Sequence, residues 1–316
     1  MLEHILLNRG LDIPIQGVAE LTVHKTIAPE IIAMKPTDFK GVVPKLIVKE
    51  GDTIKAGSII FVDKKHPEIG FASPCSGTVE SIIRGEKRKL LEVRIKADKT
   101  TDYINFQVPD LFKATKNDVI KLLLESGLWA TIKQRPYGII ANPADTPKEI
   151  FISGFNSAPL ASDLNYILKD DIPLMQTAID ELKKLTSGSI HIGLNLNDYA
   201  ASPLYKLKGA THHVFYGPHP AGNVGIQIHH VSPIKKGEIV WTINAIDLTA
   251  IGKLFQKGIY DLSRTIAIAG PRVKRPCYVK SLPGMPVKEI LDIVETKETE
   301  LYGQQVGLRY ISGDLL

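Results

Sequence analysis

GDTIKAGSIIF (Gly51–Phe61) and ASPCSGTV (Ala72–Val79) open the reading of the first third of the chain. Each places a short β-branched run beside a glycine-marked turn. The pattern extends on both sides, with VVPKLIVKE before it (Val42–Glu50), SIIFVD and FASPCSGTVESII within it, and KLLEVRIK (Lys89–Lys96) after the turn at Gly85. Runs of this length, punctuated by Gly and Asp, predict strands joined by tight turns over residues 41–96.

Those two half-motifs resemble the barrel-sandwich hybrid of biotinyl and lipoyl domains, in which such halves interlock into a small flattened β-barrel. Carrier versions place a modifiable lysine at the tip of the central hairpin. Here that turn reads Asp63-Lys64-Lys65-His66-Pro67-Glu68, and the MKM or DKA setting of the carriers is missing. Lys64 and Lys65 are therefore read as a solvated turn without lipoylation or biotinylation.

Beyond the barrel, Lys116–Ser126 predicts a helix with Thr115 as its cap and Gly127 as its stop. EIFISG, a helix from Pro173 to Leu185, SIHIGLNL and HHVFYG then alternate strand and helix, which argues a parallel α/β layer of Rossmann type. Residues 225–234 and 238–244 are expected to be further strands, followed by a helix from Leu248 to Lys257 that ends at Gly258. The tail offers strand TIAIAG, strand RPCYVKS, a helix from Val287 to Val294 and strand VGLRYI, an order that suits a small β-grasp module. The expected fold class is thus α/β, or α+β across several domains. It comprises an N-terminal region with a biotinyl/lipoyl-like barrel (residues 1–115), a Rossmann-like domain (116–260) and a β-grasp module of SLBB type (261–316).

Composition agrees with folded domains. A chain of 316 residues with 44% hydrophobic and 23% charged residues excludes disorder and collagen. The net charge of +5 is scattered, with one short basic cluster at Arg84–Lys89, and does not point to nucleic acid. Two distant cysteines, Cys75 and Cys277, are too few for an iron–sulfur cluster or a zinc ribbon. The N-terminus shows no secretory signal. The longest stretch without Lys, Arg, Asp or Glu, Gly209–Ile234, holds three prolines and five histidines, so it is not read as a membrane span.

Three kinds of site chemistry have candidate residues or motifs to be tested. GPHPAGNV (Gly217–Val224) has the glycine spacing of a phosphate loop, yet Asn223 and Val224 stand where Lys and Ser or Thr are required, and a strand is expected to follow. His212, His213, His219, His229 and His230 could ligate zinc, iron or copper. Adjacent histidines on a strand point to opposite faces, however, and no acid lies in that window, so packing, hydrogen bonding or a partner surface is the reading preferred to a metal. No GxSxG motif or Cys–His setting supports a nucleophile.

NRGLDIPIQG (Asn8–Gly17), IIAMKPTDFKG (Ile31–Gly41), FVDKKHPEIGFASPCSGTV, RGEKR (Arg84–Arg88), LLESGLW (Leu123–Trp129), QRP (Gln134–Pro136), GPHPAGNVGIQIHHVSP (Gly217–Pro233) and VWTINAIDLTAIGKLF (Val240–Phe255) follow one another in the chain. Together they resemble the NqrA family, the A-type component of the sodium-translocating NADH:quinone oxidoreductase, nearly end to end. The C-type component of the Rnf complex is a similar relative, but its added ferredoxin-like cysteine segment has no counterpart here. The resemblance implies a peripheral subunit on the cytoplasmic face of the bacterial inner membrane, inactive alone. Integral-membrane and other subunits would be its partners and would carry NADH, flavins and iron–sulfur centres, with no cofactor bound by this chain. It also implies a further C-terminal domain that the 316 residues do not reach. Within matching blocks, Met34-Lys35-Pro36 and Arg135-Pro136-Tyr137 combine apolar and donor groups in loop settings. They are candidates either for a quinone pocket, which needs an apolar slot and one or two donors, or for a partner-docking surface.

Overall fold

The computed structural model describes residues 2–296, 300–301, 304–305 and 307–313. In chain order, β1 (Glu3–Leu6) and β2 (Val23–Thr26) come first and belong to two different sheets. Then β3 (Ile31–Met34), β4 (Pro44–Leu46), β5 (Thr53–Ile54), β6 (Ile59–Asp63), β7 (Gly70–Ala72), β8 (Gly77–Arg84) and β9 (Leu90–Ala97) build the expected barrel. Two sheets, ordered β3-β9-β8-β5 and β4-β6-β7, face one another. Alternation along the strands sends Ile32, Phe61, Phe71, Val79, Val93 and Ile95 inward, where they bury a continuous apolar core. Phe61 and Phe71 stack at 4.6 Å, and Phe39 leans on Phe71 at 4.4 Å. That aromatic ladder seats the loop after β3 against the barrel.

Helix α1 (Lys116–Glu125) begins as the sequence predicts, because Thr115 and Asp118 exchange side-chain and backbone hydrogen bonds in a capping box. It stops at Gly127, whose φ of 79° lies in the left-handed region that favours glycine. Thr115→Ala should cost about 1 kcal/mol of stability, read as a lower urea midpoint with an unchanged slope.

A short antiparallel hairpin, β10 (Lys133–Arg135) and β11 (Ile139–Ile140), leads into β12 (Ile150–Ser153), α2 (Leu164–Leu168), α3 (Ile172–Leu182), β13 (Ile190–Asn195), β14 (Thr211–Tyr216), α4 (Val224–Val231), β15 (Val240–Thr242) and α5 (Ala245–Lys257). The seven-stranded sheet runs β1-β14-β13-β12-β15-β10-β11, with β12 parallel to both β13 and β15. Alternate residues of β12 face opposite layers. Ile150 and Ile152 join the core under α3 and α5, while Phe151 packs with Val240 and Ile228 of α4. Barrel and sheet share one core: Trp129, Tyr260 and Ala72 meet there, and the Tyr260 hydroxyl donates to the Ala72 carbonyl at 3.3 Å.

Residues 225–234 are not a strand. Val224, Ile228 and Val231 recur at helical spacing and cover the Phe151–Val240 wall, so burial of one helix face overrides the β-branched composition. The remaining sheet is β2 with β16 (Arg264–Ile268) and β17 (Cys277–Ser281), ordered β16-β17-β2, followed by α6 (Val287–Leu291) and the small hairpin β18 (Glu300–Leu301) and β19 (Gln304–Gln305). The edge of β17 away from β16 is taken by β2, in parallel. The expected strand VGLRYI therefore finds no place there: residues 307–311 carry no strand, and Val306 lies outside the described residues.

Candidate functional site

Met34 ends β3, paired with Val93, and its side chain packs half-buried on the barrel core. The chain then turns through Pro36–Asp38, with Pro36 buried and Lys35 exposed 3.9 Å from the Glu92 carboxylate. Glu92 is itself held by Arg94. Lys40 leaves this loop and donates to the Tyr137 carbonyl at 2.9 Å. The fold thus brings the two candidate segments side by side, although Lys40 and Tyr137 lie 97 positions apart in the chain.

The β10–β11 hairpin supplies the other wall. Pro136 and Tyr137 form its exposed tip, with Tyr137 at 69% exposure, and Arg135 sits half-buried behind them with its Nε lacking a hydrogen-bond partner. Lys133 lies one residue pair deeper, donating to the Ala130 carbonyl at 2.9 Å and standing 5.6 Å over the Phe39 ring. Burial pushes its ammonium below the usual lysine range, opposed by the attraction of Asp247. Phe39, Lys40 and Lys133 thereby join Met34, Lys35, Arg135, Pro136 and Tyr137 at one junction. Sequence reasoning missed the added three, although Phe39 and Lys40 sit in the same IIAMKPTDFKG block. Chemically the junction offers Lys133 over the Phe39 ring and Lys40 at the Pro136–Tyr137 tip, a pairing of cation and apolar surface suited to a group whose oxygens gain negative charge.

The five histidines do not converge. His212 points its Nε2 to the Leu204 carbonyl at 3.0 Å, His219 meets the Ser157 hydroxyl at 3.0 Å, and His229 and His230 are exposed on α4, on a helix rather than a strand. Among the described residues no group of three His, Cys, Asp or Glu side chains is placed to hold a metal. His213 instead bonds His191 at 2.9 Å, a partner outside the histidine-rich stretch. A helix does follow GPHPAGNV, contrary to expectation, yet the Ser157 hydroxyl accepts the Gly222 N–H there and no lysine stands in the loop. Lys64 and Lys65 are exposed in the β6–β7 turn. Both cysteines are buried thiols; burial pushes Cys75 up to about 11 and raises Cys277.

Burial also holds His191 and His212 below the usual histidine range. The unfolded chain binds those protons near pH 6.5 and the folded chain resists them, so acidification through that value favours unfolding. Urea midpoints should fall between pH 7.5 and pH 5.5, and His212→Gln should flatten part of that slope.

Two family profiles match: the NqrA N-terminal barrel-sandwich hybrid domain over residues 5–98 and the NqrA second alpha/beta domain over residues 114–260. The A-type component of the Na(+)-translocating NADH-quinone reductase of Photorhabdus laumondii is 32% identical over 317 aligned residues, covering 99% of this chain and 68% of its own length. This chain belongs to the NqrA family. The corresponding protein of Marinomonas sp. is 33% identical over 287 residues, covering 90% of this chain. The chain spans 64% of the length of that relative. A solved chain of an NAD+-reducing nickel–iron hydrogenase overlays at a TM-score of 0.39 and 12% identity, covering 63% of this chain and 45% of that one, too distant to bear on the fold. No helix among the described residues is long and apolar enough to cross a membrane.

Proposed function

We propose that this NqrA-family chain serves as the A-type component of a sodium-translocating NADH–quinone reductase, and that the junction of the β3 loop with the β10–β11 hairpin is where it meets quinone. The family membership supports the first part. The second rests on one observation: Lys40 donates to the Tyr137 carbonyl and Lys133 stands over the Phe39 ring, so the loop that carries Lys35 and the hairpin that carries Arg135 lie side by side. A quinone carbonyl gains charge on reduction, and preplaced cations stabilise that charge. The chain's role is positioning; NADH oxidation, flavins and iron–sulfur centres belong to partner subunits, which hold it at the cytoplasmic face of the bacterial inner membrane. The strand order β14-β13-β12-β15 supports a Rossmann-like assignment, and the three-stranded sheet with α6 supports an SLBB-like β-grasp module. A second reading is favoured by the exposed Pro136–Tyr137 tip, which has the aromatic character of a docking surface for a membrane partner.

Lys35→Ala and Arg135→Ala in the assembled complex distinguish the two. Quinone reduction should fall while NADH oxidation by an artificial acceptor stays normal. Wild-type quinone kinetics in both assembled variants would refute the quinone role, and failure to assemble would favour docking.

A further inference from the structure

Four side chains line up across the sheet on the face that carries α4. His213 Nδ1 lies 2.9 Å from Glu3 Oε2, and His213 Nε2 lies 2.9 Å from His191 Nδ1. His191 Nε2 then lies 3.4 Å from Glu149 Oε1, the longest of the three links and not aligned as a hydrogen bond, and His191 Nε2 and Glu149 Oε2 are both buried without a partner. Both imidazoles are buried, Glu149 is nearly so, and Glu3 is 59% exposed at the sheet edge. The two carboxylates meet opposite nitrogens rather than a common point, and among the described residues no three His, Cys, Asp or Glu side chains are placed to hold a metal.

Proton counting decides what the string is. Three links join four groups: Glu3 to His213, His213 to His191, and His191 to Glu149. An ionised carboxylate only accepts, and a neutral imidazole supplies one N–H and one lone pair. Two neutral histidines therefore fill two of the three links, and one link must stay without a proton. The distances say which one. The two 2.9 Å links point the protons toward Glu3, so His213 Nδ1–H donates to Glu3 and His191 Nδ1–H donates to His213 Nε2. The vacant link is the long one, at Glu149.

We propose that Glu3, His213, His191 and Glu149 form a single proton-binding site, polarised toward the N-terminal strand when neutral and taking one proton between His191 and Glu149 on acidification. The charged groups around it fit that description. Glu149 attracts the incoming proton, while Lys183, from the turn after α3, and His213 oppose it. Phe151 stacks on His191 at 4.5 Å and excludes water on that side. Helix α4 packs on the same wall through Ile228 and Val231 and turns His229 and His230 to solvent. Burial makes the third proton harder to add than on a free histidine, so uptake falls on the acid side of the ordinary histidine range. The site also explains why Glu3, on a four-residue edge strand, is fastened to the sheet by a side chain as well as by its pairing with β14.

The test is a pH titration of imidazole nitrogen resonances in the whole chain. At neutral pH both His191 and His213 should be Nδ1–H tautomers, and acidification should add one proton that shifts the resonances of both rings together. Glu149→Gln supplies an amide N–H to the vacant link, so the shared titration should move downward in pH or vanish while both tautomers stay. Glu3→Gln removes the end that sets the polarity, so a population of Nε2–H tautomers should emerge. Circular dichroism and urea midpoints of the two variants confirm that folding is retained. Independent titration of two protons, an Nε2–H tautomer of either ring in the wild type, or a Glu149→Gln titration identical to wild type would overturn the proposal. So would loss of both N–H signals on adding zinc, which would make the pair a metal ligand set.

Discussion

Replacing Gly252 with alanine should destabilise the chain by about 3 kcal/mol, although the same change on an exposed helix stabilises by about 1 kcal/mol. Gly252 lies within α5 where that helix crosses the start of α3, and a Cβ there would enter the space of the Leu174 carbonyl oxygen and its Cα. Both obstacles are backbone, so no rotamer change relieves them. The helices would have to separate, opening the core beneath β12 and β13. Gly225→Ala provides the contrast, since its Cβ meets nothing within 4 Å on α4, and that variant should be neutral or slightly stabilised. Urea unfolding of both variants reads the two signs directly. Equal midpoints for the two would show that α3 and α5 do not approach as described.

Phe71→Ala should cost about 3–5 kcal/mol, because it removes a ring buried to 1% exposure and leaves a cavity between two others. The consequence reaches the candidate site. Phe39 rests on Phe71, and Lys133 stands over Phe39, so the loop from Lys35 to Gly41 loses its seat. Hydrogen exchange at the Phe39 N–H, which donates to the Pro36 carbonyl at 3.1 Å, should quicken more than the global loss of stability accounts for. Phe112→Ala is the control: that side chain is fully exposed, and its loss should change stability by less than about 0.5 kcal/mol. A loop that keeps wild-type protection in Phe71→Ala would show that it is held by Lys40 and the hairpin rather than by the aromatic ladder.

Much of the candidate site was legible because its residues fall in recognisable blocks. Met34-Lys35-Pro36 and Arg135-Pro136-Tyr137 could be chosen by residue type and block, although Met34 and Arg135 end strands β3 and β10 rather than lying in loops. Their adjacency could not, since it depends on how the barrel docks on the α/β sheet. Lys133 escaped notice for a related reason: a lysine at the start of a short strand gives no sign that Phe39 will cover it. The histidines show the converse. Five of them cluster in sequence, yet among the described residues the histidine–histidine hydrogen bond joins His213 to His191, which lies 22 positions away on the neighbouring strand. Closeness in sequence reflects local composition, whereas closeness in space here follows strand register.

What the sequence determined by itself was local punctuation. Gly51, Gly57 and Gly85 set the turns of the barrel, Thr115 and Gly127 bounded α1, and Gly258 ended α5, because turn and cap preferences act over a few residues and need no partner. Tertiary structure decided what those preferences leave degenerate. The β-branched run after Asn223 became a helix because Val224, Ile228 and Val231 could bury one face on Phe151 and Val240. The N-terminal strands left the barrel, β1 pairing with β14 and β2 with β17, because an unpaired edge accepts any strand that reaches it in register. Strand pairing is a contact between distant residues, so its energy is written in the folded chain and not in any window of its sequence.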